Sequence, residues 1–291
     1  MSEVETPHCY RHPGRETRVS CSECGRPICE ECMVYAPVGI KCPEHAAVGA
    51  PKPSMQRTIR QTKGRVLGLD GPATVALVVI NVIVFLITVA QGNGLSNPGG
   101  RVFVDGALIG SATNFDGSQL GVANGEWWRL VTAMFLHGSI IHLFMNMLGL
   151  YLIGTVVEQA LGTWRYLLVY FAAGLAGSAL ALWMSEPNQI TVGASGAIYG
   201  VLGALLILEY MTTGSLAGQA LTILVLNFMF TLTVPNISIG GHLGGAIGGI
   251  LATAGLMRFR YNRRRWLAPA SAVLVAIAAV ALAYVRTKSY T

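Results

Sequence analysis

The sequence predicts an all-α polytopic membrane protein with a small cysteine-rich domain at its N-terminus, and three observations carry that expectation. Hydrophobic residues fill 53% of the 291 positions and charged residues only 12%, the balance of helices that face lipid rather than of a soluble enzyme. All six cysteines fall within the first fifty residues. Beyond them, apolar runs near the ~20 residues that a helix needs to cross ~30 Å of hydrocarbon alternate with polar or Gly/Pro breaks.

Seven such runs are expected, at 73-91, 134-156, 164-184, 195-211, 216-233, 237-257 and 267-285. The first six make a core, and the last is one additional C-terminal transmembrane helix. Charge marks the boundaries. Residues 1-50 hold five basic and seven acidic residues, whereas 71-257 hold only three and six. The net charge of +6 comes from a linker over 51-72 (Lys52, Arg57, Arg60, Lys63, Arg65), a segment over 258-266 (Arg258, Arg260, Arg263, Arg264, Arg265) and the tail (Arg286, Lys288). Basic clusters beside apolar spans set orientation, so the excess points to a bilayer and not to nucleic acid. An even number of crossings between linker and second cluster puts both, with the N-terminus, on the cytoplasmic side, and no cleavable signal peptide is visible. An integral protein of the plasma membrane is the expected setting. The two tail cations then lie outside, against the rule.

The long Gly-rich connection at 92-128 is external and longer than a helical hairpin requires. After residue 50 only His137, His142 and His242 occur. Ionisable groups within a membrane are retained mainly where they do chemistry or line a cavity; the alternative for each is interhelical hydrogen bonding. Ser195 stands where an external loop enters the fourth span, bracketed by Gly193 and Gly196, so that a peptide backbone can approach it. His242 lies about one turn inside the external end of the sixth span. Nucleophile and base are thus at similar depth, and His242 can take the hydroxyl proton and return it to a leaving amine.

No span contains Asp, and Glu158 and Glu209 sit at cytoplasmic ends. A dyad is what remains, with Tyr199, one turn after Ser195, placed to stack on the imidazole. His142 and Asn146 share a face of the second span and are candidate oxyanion donors. His137, five residues earlier, faces elsewhere and is expected to hold the external loop. No His-Glu-x-x-His occurs, no span carries an aspartyl pair, and neither repeated halves nor a charged pathway suggests a transporter. The competing reading is a non-catalytic membrane protein that binds transmembrane clients.

Taken together, Trp128-Arg129, the series His137, His142, Asn146, the segment Gly193-Ala-Ser195-Gly196 with Tyr199, and His242 followed by Gly245 and Gly249 make residues 73-257 resemble the rhomboid protease family. The resemblance implies a rhomboid-like six-helix core, a water-filled cavity open to the outer face, and cleavage of membrane-anchored proteins in or near their transmembrane helices. It further implies that Ser195 and His242 are catalytic, that His142 and Asn146 stabilise the oxyanion with the serine amide, and that Trp128-Arg129 shapes the external loop.

The N-terminal residues 1-50 hold four ligand pairs, Cys9-x2-His12, Cys21-x2-Cys24, Cys29-x2-Cys32 and Cys42-x2-His45, leaving only His8 spare. Joined as neighbours or as alternates, they make two tetrahedral zinc sites of three Cys and one His. Disulfides compete, but a cytoplasmic location disfavours them. The zinc ions are expected to be structural, with no cofactor serving catalysis, and the module is a candidate surface for a protein partner. It resembles the B-box type of zinc-binding domain, which implies interleaving: Cys9, His12, Cys29, Cys32 at one metal and Cys21, Cys24, Cys42, His45 at the other.

Overall fold

The computed structural model describes residues 6–36, 39–48, 71–114, 117–235, 237–259, 264 and 266–290. The basic linker up to residue 70, and Arg260, Arg263 and Arg265 of the second cluster, lie outside the described residues. The chain divides into two compact units, Met1–Thr58 and Ile59–Thr291.

In the first unit β1 (Val34–Tyr35) and β2 (Ile40–Lys41) form an antiparallel hairpin, followed by α1 (Pro43–Val48). Its buried cluster consists of Cys9, Cys21, Ile28, Cys29, Cys32 and Cys42, with Tyr10, Val19, Met33 and Ile40 packed around it. Ile28 is the one aliphatic side chain in that cluster. So small an apolar core stabilises little by burial alone.

The second unit is helical: α2 (Pro72–Gln91), α3 (Gly100–Gly106), α4 (Arg129–Thr132), α5 (Ile140–Leu161), α6 (Thr163–Met184), α7 (Ser195–Thr213), α8 (Gln219–Thr233), α9 (Ile239–Arg258) and α10 (Leu267–Thr287). Six of these, α2, α5, α6, α7, α9 and α10, are long and apolar enough to span a membrane. The protein is a mostly helical integral membrane protein. Two expected spans need correction. The run at 134-156 begins later, because Ala133–Phe135 forms a short 3-10 turn and Ser139 caps α5 by accepting from the His142 amide at 3.2 Å. The run at 216-233 becomes α8 with 15 residues, shorter than a full crossing.

Helices α6, α7 and α9 form the centre, and glycine lets them meet. A Cβ at Gly245 of α9 would run into the Gly196 carbonyl of α7, and one at Gly249 into the Gly200 carbonyl. The two backbones are therefore in direct contact over a full turn, as small residues permit between membrane helices. The outermost helices, α2 and α10, are the least buried and the most apolar, as expected of surfaces left to lipid.

The two glutamates at helix ends act as caps. Glu158 is 2% exposed, and its carboxyl accepts from the Ala73 and Thr74 amides of α2 at 3.0 and 2.8 Å and from the Thr74 and Thr163 hydroxyls. Glu209 accepts from the Gln219 and Ala220 amides of α8. Each occupies the donor-rich first turn of another helix. The tail cations are also placed. Arg286 Nε donates to the Leu182 carbonyl in the last turn of α6, Tyr290 Oη donates to the same oxygen, and the guanidinium lies over the Trp183 and Tyr290 rings. A cation at a helix C-terminus is favourable, so Arg286 has a local reason to stand against the orientation rule.

Glu158→Ala strands two buried amides and two hydroxyls at once. Each unsatisfied group costs about 1–3 kcal/mol, so the variant is expected to melt clearly lower than wild type in detergent, and lower than Glu209→Ala, whose capping bonds are more exposed. Equal midpoints for Glu158→Ala and wild type would contradict the capping role.

Candidate active site

Ser195 is the first residue of α7 and His242 lies in the first turn of α9. The glycine contact between these helices brings them together: His242 Nε2 is 2.7 Å from Ser195 Oγ. Because both N-terminal ends meet, α7 and α9 run parallel, and α8 returns the chain between them. The Tyr199 ring stacks on the imidazole, with centroids 4.1 Å apart and planes inclined by 16°. His242 and Tyr199 are each 7% exposed, whereas Ser195 is only half-buried. The hydroxyl is thus reachable while its partner ring is held in packed surroundings.

Gly193 precedes the serine with φ +130°, a left-handed conformation that favours glycine. A Cβ there would also lie 2.8 Å from His142 Nε2. His142 is therefore beside the Gly193-Ala-Ser195 backbone. The Gly138 amide approaches His142 Nδ1 at 3.4 Å as a donor, an arrangement that leaves the ring proton on Nε2, facing the serine segment. Asn146 is buried one turn on; one Nδ2 hydrogen goes to the His142 carbonyl at 2.8 Å, and the second is free to donate elsewhere. As the first residue of a helix, Ser195 also offers an amide from the unpaired first turn. His137 is fully buried, packs edge-on to His142 with centroids 5.1 Å apart, and has no hydrogen-bond partner among the described residues. Among the described residues its ring contact is with His142.

That loop is organised by Arg129. Its guanidinium, 1% exposed, donates to the Val104 and Ala107 carbonyls at 2.6 and 2.7 Å and to Glu126 at 2.7 Å, and Trp128 Nε1 donates to the Asp105 carbonyl. Burial pushes the Glu126 carboxyl up, but Arg129 and the Gly121 amide more than offset it and hold the group below its ordinary value. The ordered loop, with hairpin β3 (Ala112–Thr113) and β4 (Gln119–Leu120), in turn holds the approach to the serine. Leu108 and Thr191 exchange both backbone hydrogen bonds, and the Gly110 and Ser111 amides donate to the Pro187 carbonyl. An apolar cavity of about 410 Å³ opens beside α2, lined by residues including Ile80, Val84, Trp128 and Leu136. It contains none of the candidate site residues.

One neighbour of the imidazole goes unnoticed in the sequence. Thr231 of α8, 2% exposed, places Oγ1 2.7 Å from His242 Nδ1 and 2.8 Å from Tyr199 Oη. The local signal is weak: Asn227 and Thr231 stand four apart on a mostly apolar helix that also carries Gln219, Thr222 and Thr233.

The eight N-terminal ligands fall into two groups, Cys9, His12, Cys29, Cys32 and Cys21, Cys24, Cys42, His45, with the ligand atoms of each group within 4.8 Å of one another. Both histidines present Nδ1, which lies 3.2 Å from Cys29 Sγ in the first group and 3.1 Å from Cys42 Sγ in the second. Cys24 and Cys42 Sγ atoms are 4.0 Å apart, near the roughly 3.8 Å edge of a tetrahedron with ~2.3 Å metal–sulfur bonds. Burial pushes the Cys9 thiol up, but the amides of Cys29, Arg11 and His12 bring it down to about 6. The Cys42, Cys24 and Glu23 amides do the same for Cys21, again to about 6. The Cys42 thiol is lowered as well, whereas Cys32 is raised to about 11 and Cys24 is raised too, so each group holds thiols shifted in both directions.

Comparison with known proteins agrees with the helical unit. Residues 124–259 match a family described as Rhomboid domain. The chain is similar to Rhomboid protease GluP of Bacillus subtilis, 44% identical over 139 residues, covering 46% of this chain and 27% of that protein. It is similar to Putative rhomboid protease YdcA of the same organism, 38% identical over 141 residues, covering 46% of this chain and 70% of the relative. RHOMBOID-like protein 5 of Arabidopsis thaliana is 37% identical over 149 residues, 48% of each chain. The family match begins at residue 124 and does not reach the cysteine-rich unit.

Proposed function

The chain belongs to the rhomboid family, and from that premise we propose that it is an intramembrane serine endopeptidase working through a Ser195–His242 dyad. The observation that carries the reading is the 2.7 Å contact between Ser195 Oγ and His242 Nε2. His242 accepts the hydroxyl proton as Oγ bonds to the scissile carbonyl carbon, and the carbonyl oxygen becomes the oxyanion. His142 Nε2–H, the free Asn146 Nδ2–H and the Ser195 amide are the donors around it, of a kind worth about 2.7–4 kcal/mol each when aimed at the developing charge. The proton on His242 passes to the leaving amine as the C–N bond breaks. Water, deprotonated by His242, then releases the acyl group and restores the serine.

Tyr199 keeps the imidazole from turning, and Gly193 lets the substrate strand approach Ser195 without a side chain between. The substrates are transmembrane proteins cut in or near their membrane segments. The N-terminus is cytoplasmic and the dyad opens toward the outer side of the plasma membrane, an orientation supported by the basic residues flanking the core. Residues 1-50, a linker over 51-72, the core over 73-257, the basic segment over 258-266 and the helix over 267-285 are the proposed divisions.

The first unit is proposed to be a B-box-like module holding two structural zinc ions, a reading supported by the interleaved Cys3His groups. When bound, zinc would cross-link segments whose apolar core is too small to hold them. Partner binding is the role left to such a module, since a site closed by four protein ligands has no position for a reacting water.

Ser195→Ala and His242→Ala are each expected to abolish cleavage of a test transmembrane substrate by the purified chain while leaving expression and melting near wild type. Cleavage retained in either variant overturns the dyad, and capture of the substrate by wild type without fragments would favour a non-catalytic client-binding protein. For the N-terminal unit, elemental analysis of the full chain is expected to find two zinc ions, and Cys29→Ser one. A metal-free chain with its cysteines in disulfides would refute the module.

A further inference from the structure

The imidazole of His242 has two nitrogens, and only one of its neutral tautomers can act on Ser195. Nε2 must be the bare acceptor for the hydroxyl, so Nδ1 must carry the proton. In soluble serine hydrolases a carboxylate commonly receives that Nδ1–H. Here the described Glu side chains at span ends are engaged as helix caps, and the atom facing Nδ1 is Thr231 Oγ1 at 2.7 Å.

A threonine hydroxyl is ambiguous by itself, since it has one hydrogen to donate and two lone pairs to accept with. All three of its contacts can be hydrogen bonds at once only if the single hydrogen goes to the one neighbour that cannot donate. Thr231 Oγ1 donates to the Asn227 carbonyl one turn earlier in α8, at 3.0 Å. With its hydrogen used there, it can only accept from its remaining neighbours, Tyr199 Oη at 2.8 Å and His242 Nδ1 at 2.7 Å. Tyr199 and Thr231 then both have complete hydrogen bonding, and His242 is left with the proton on Nδ1 and its lone pair on Ser195. The same hydroxyl ties the stacking ring and the base to one point. Of the residues of α8, only Ala220 and Thr231 are buried, so Thr231 is the one polar side chain of this short helix that is enclosed, and it is enclosed against the base.

We propose that Thr231 is a positioning residue that, by accepting from Nδ1–H, selects the tautomer and ring orientation in which His242 Nε2 serves Ser195. The proposal rests on the dyad reading, deepening it with a third, uncharged member drawn from a different helix.

Thr231→Val keeps the shape and removes the acceptor, whereas Thr231→Ser keeps the hydroxyl and loses a methyl. For the full chain acting on a test transmembrane substrate, Thr231→Val is expected to lower kcat by about 10- to 100-fold, by analogy with the loss when the outer hydrogen-bond partner of a metal-ligating imidazole is removed, with KM unchanged. Thr231→Ser should restore most of it. Nitrogen-15 shifts of labelled histidine, assigned by His242→Gln, should show a protonated Nδ1 in wild type and Thr231→Ser and a mixture of tautomers in Thr231→Val. Wild-type kcat in Thr231→Val, an equal loss in Thr231→Ser, or a wild-type protein protonated on Nε2 would each overturn the proposal. The first two leave a cleaving Ser195–His242 pair intact, so they are distinct from failure of the dyad itself, which the Ser195→Ala control reads.

Discussion

The direct contact between the backbones of α7 and α9 is the constraint on which the rest of this molecule depends. Ser195 precedes Gly196 by one residue and His242 precedes Gly245 by three, so the two groups lie just outward of the turn where a Cβ would strike the opposing carbonyl. A methyl group at that contact would separate the helices by more than a hydrogen bond tolerates. Ser195 and His242 are therefore spaced by glycine at a distance from themselves, and the high glycine content of the sequence bears on the proposed chemistry as well as on packing.

Within hydrocarbon a charged orienting group is costly, and the site is built to avoid one. Stacking, hydroxyl contacts and backbone dipoles surround the imidazole, and the two glutamates of the helical ends are spent on helix termini where donors already converge. Charge is used instead in the connection between α2 and α5. There the buried Arg129 collects the carbonyl of Val104 in the last turn of α3, that of Ala107 just after it, and one carboxylate, and the loop so ordered pins residues 187 and 191 on the way to Ser195. The serine is thus located from two directions, by helix packing below and by a scaffolded loop above.

Much of this was legible from residue order. Long apolar runs set the helices because membrane helices satisfy their own backbones, and pattern alone locates them. The start of α5 was not, since Met134, Phe135 and Leu136 extend the apolar run and His137-Gly138-Ser139 reads as part of it, whereas the 3-10 turn and the Ser139 cap place the break there. The meeting of Ser195 with His242 followed from equal depth on parallel helices. Thr231 could not be found that way, because a threonine in an apolar helix is commonplace and its meaning comes from what a neighbouring helix presents to it. Likewise spacing identified the eight Cys and His ligands, while their interleaved grouping, open on spacing alone, is a property of the folded hairpin. Arg286, at odds with the orientation rule, is explained only by the α6 carbonyl it meets.

The most direct test of the account is the rate at which a serine-directed fluorophosphonate labels Ser195 when the helix contact alone is altered. Gly245→Ala leaves both reacting side chains in place and puts a methyl group against the Gly196 carbonyl; Gly149→Ala, whose Cβ would meet only Ile198 at an ordinary 3.7 Å, serves as the control. Labelling should persist in Gly149→Ala and fall steeply in Gly245→Ala. A Gly245→Ala protein labelled as fast as wild type would show that the glycine contact does not set the active pair.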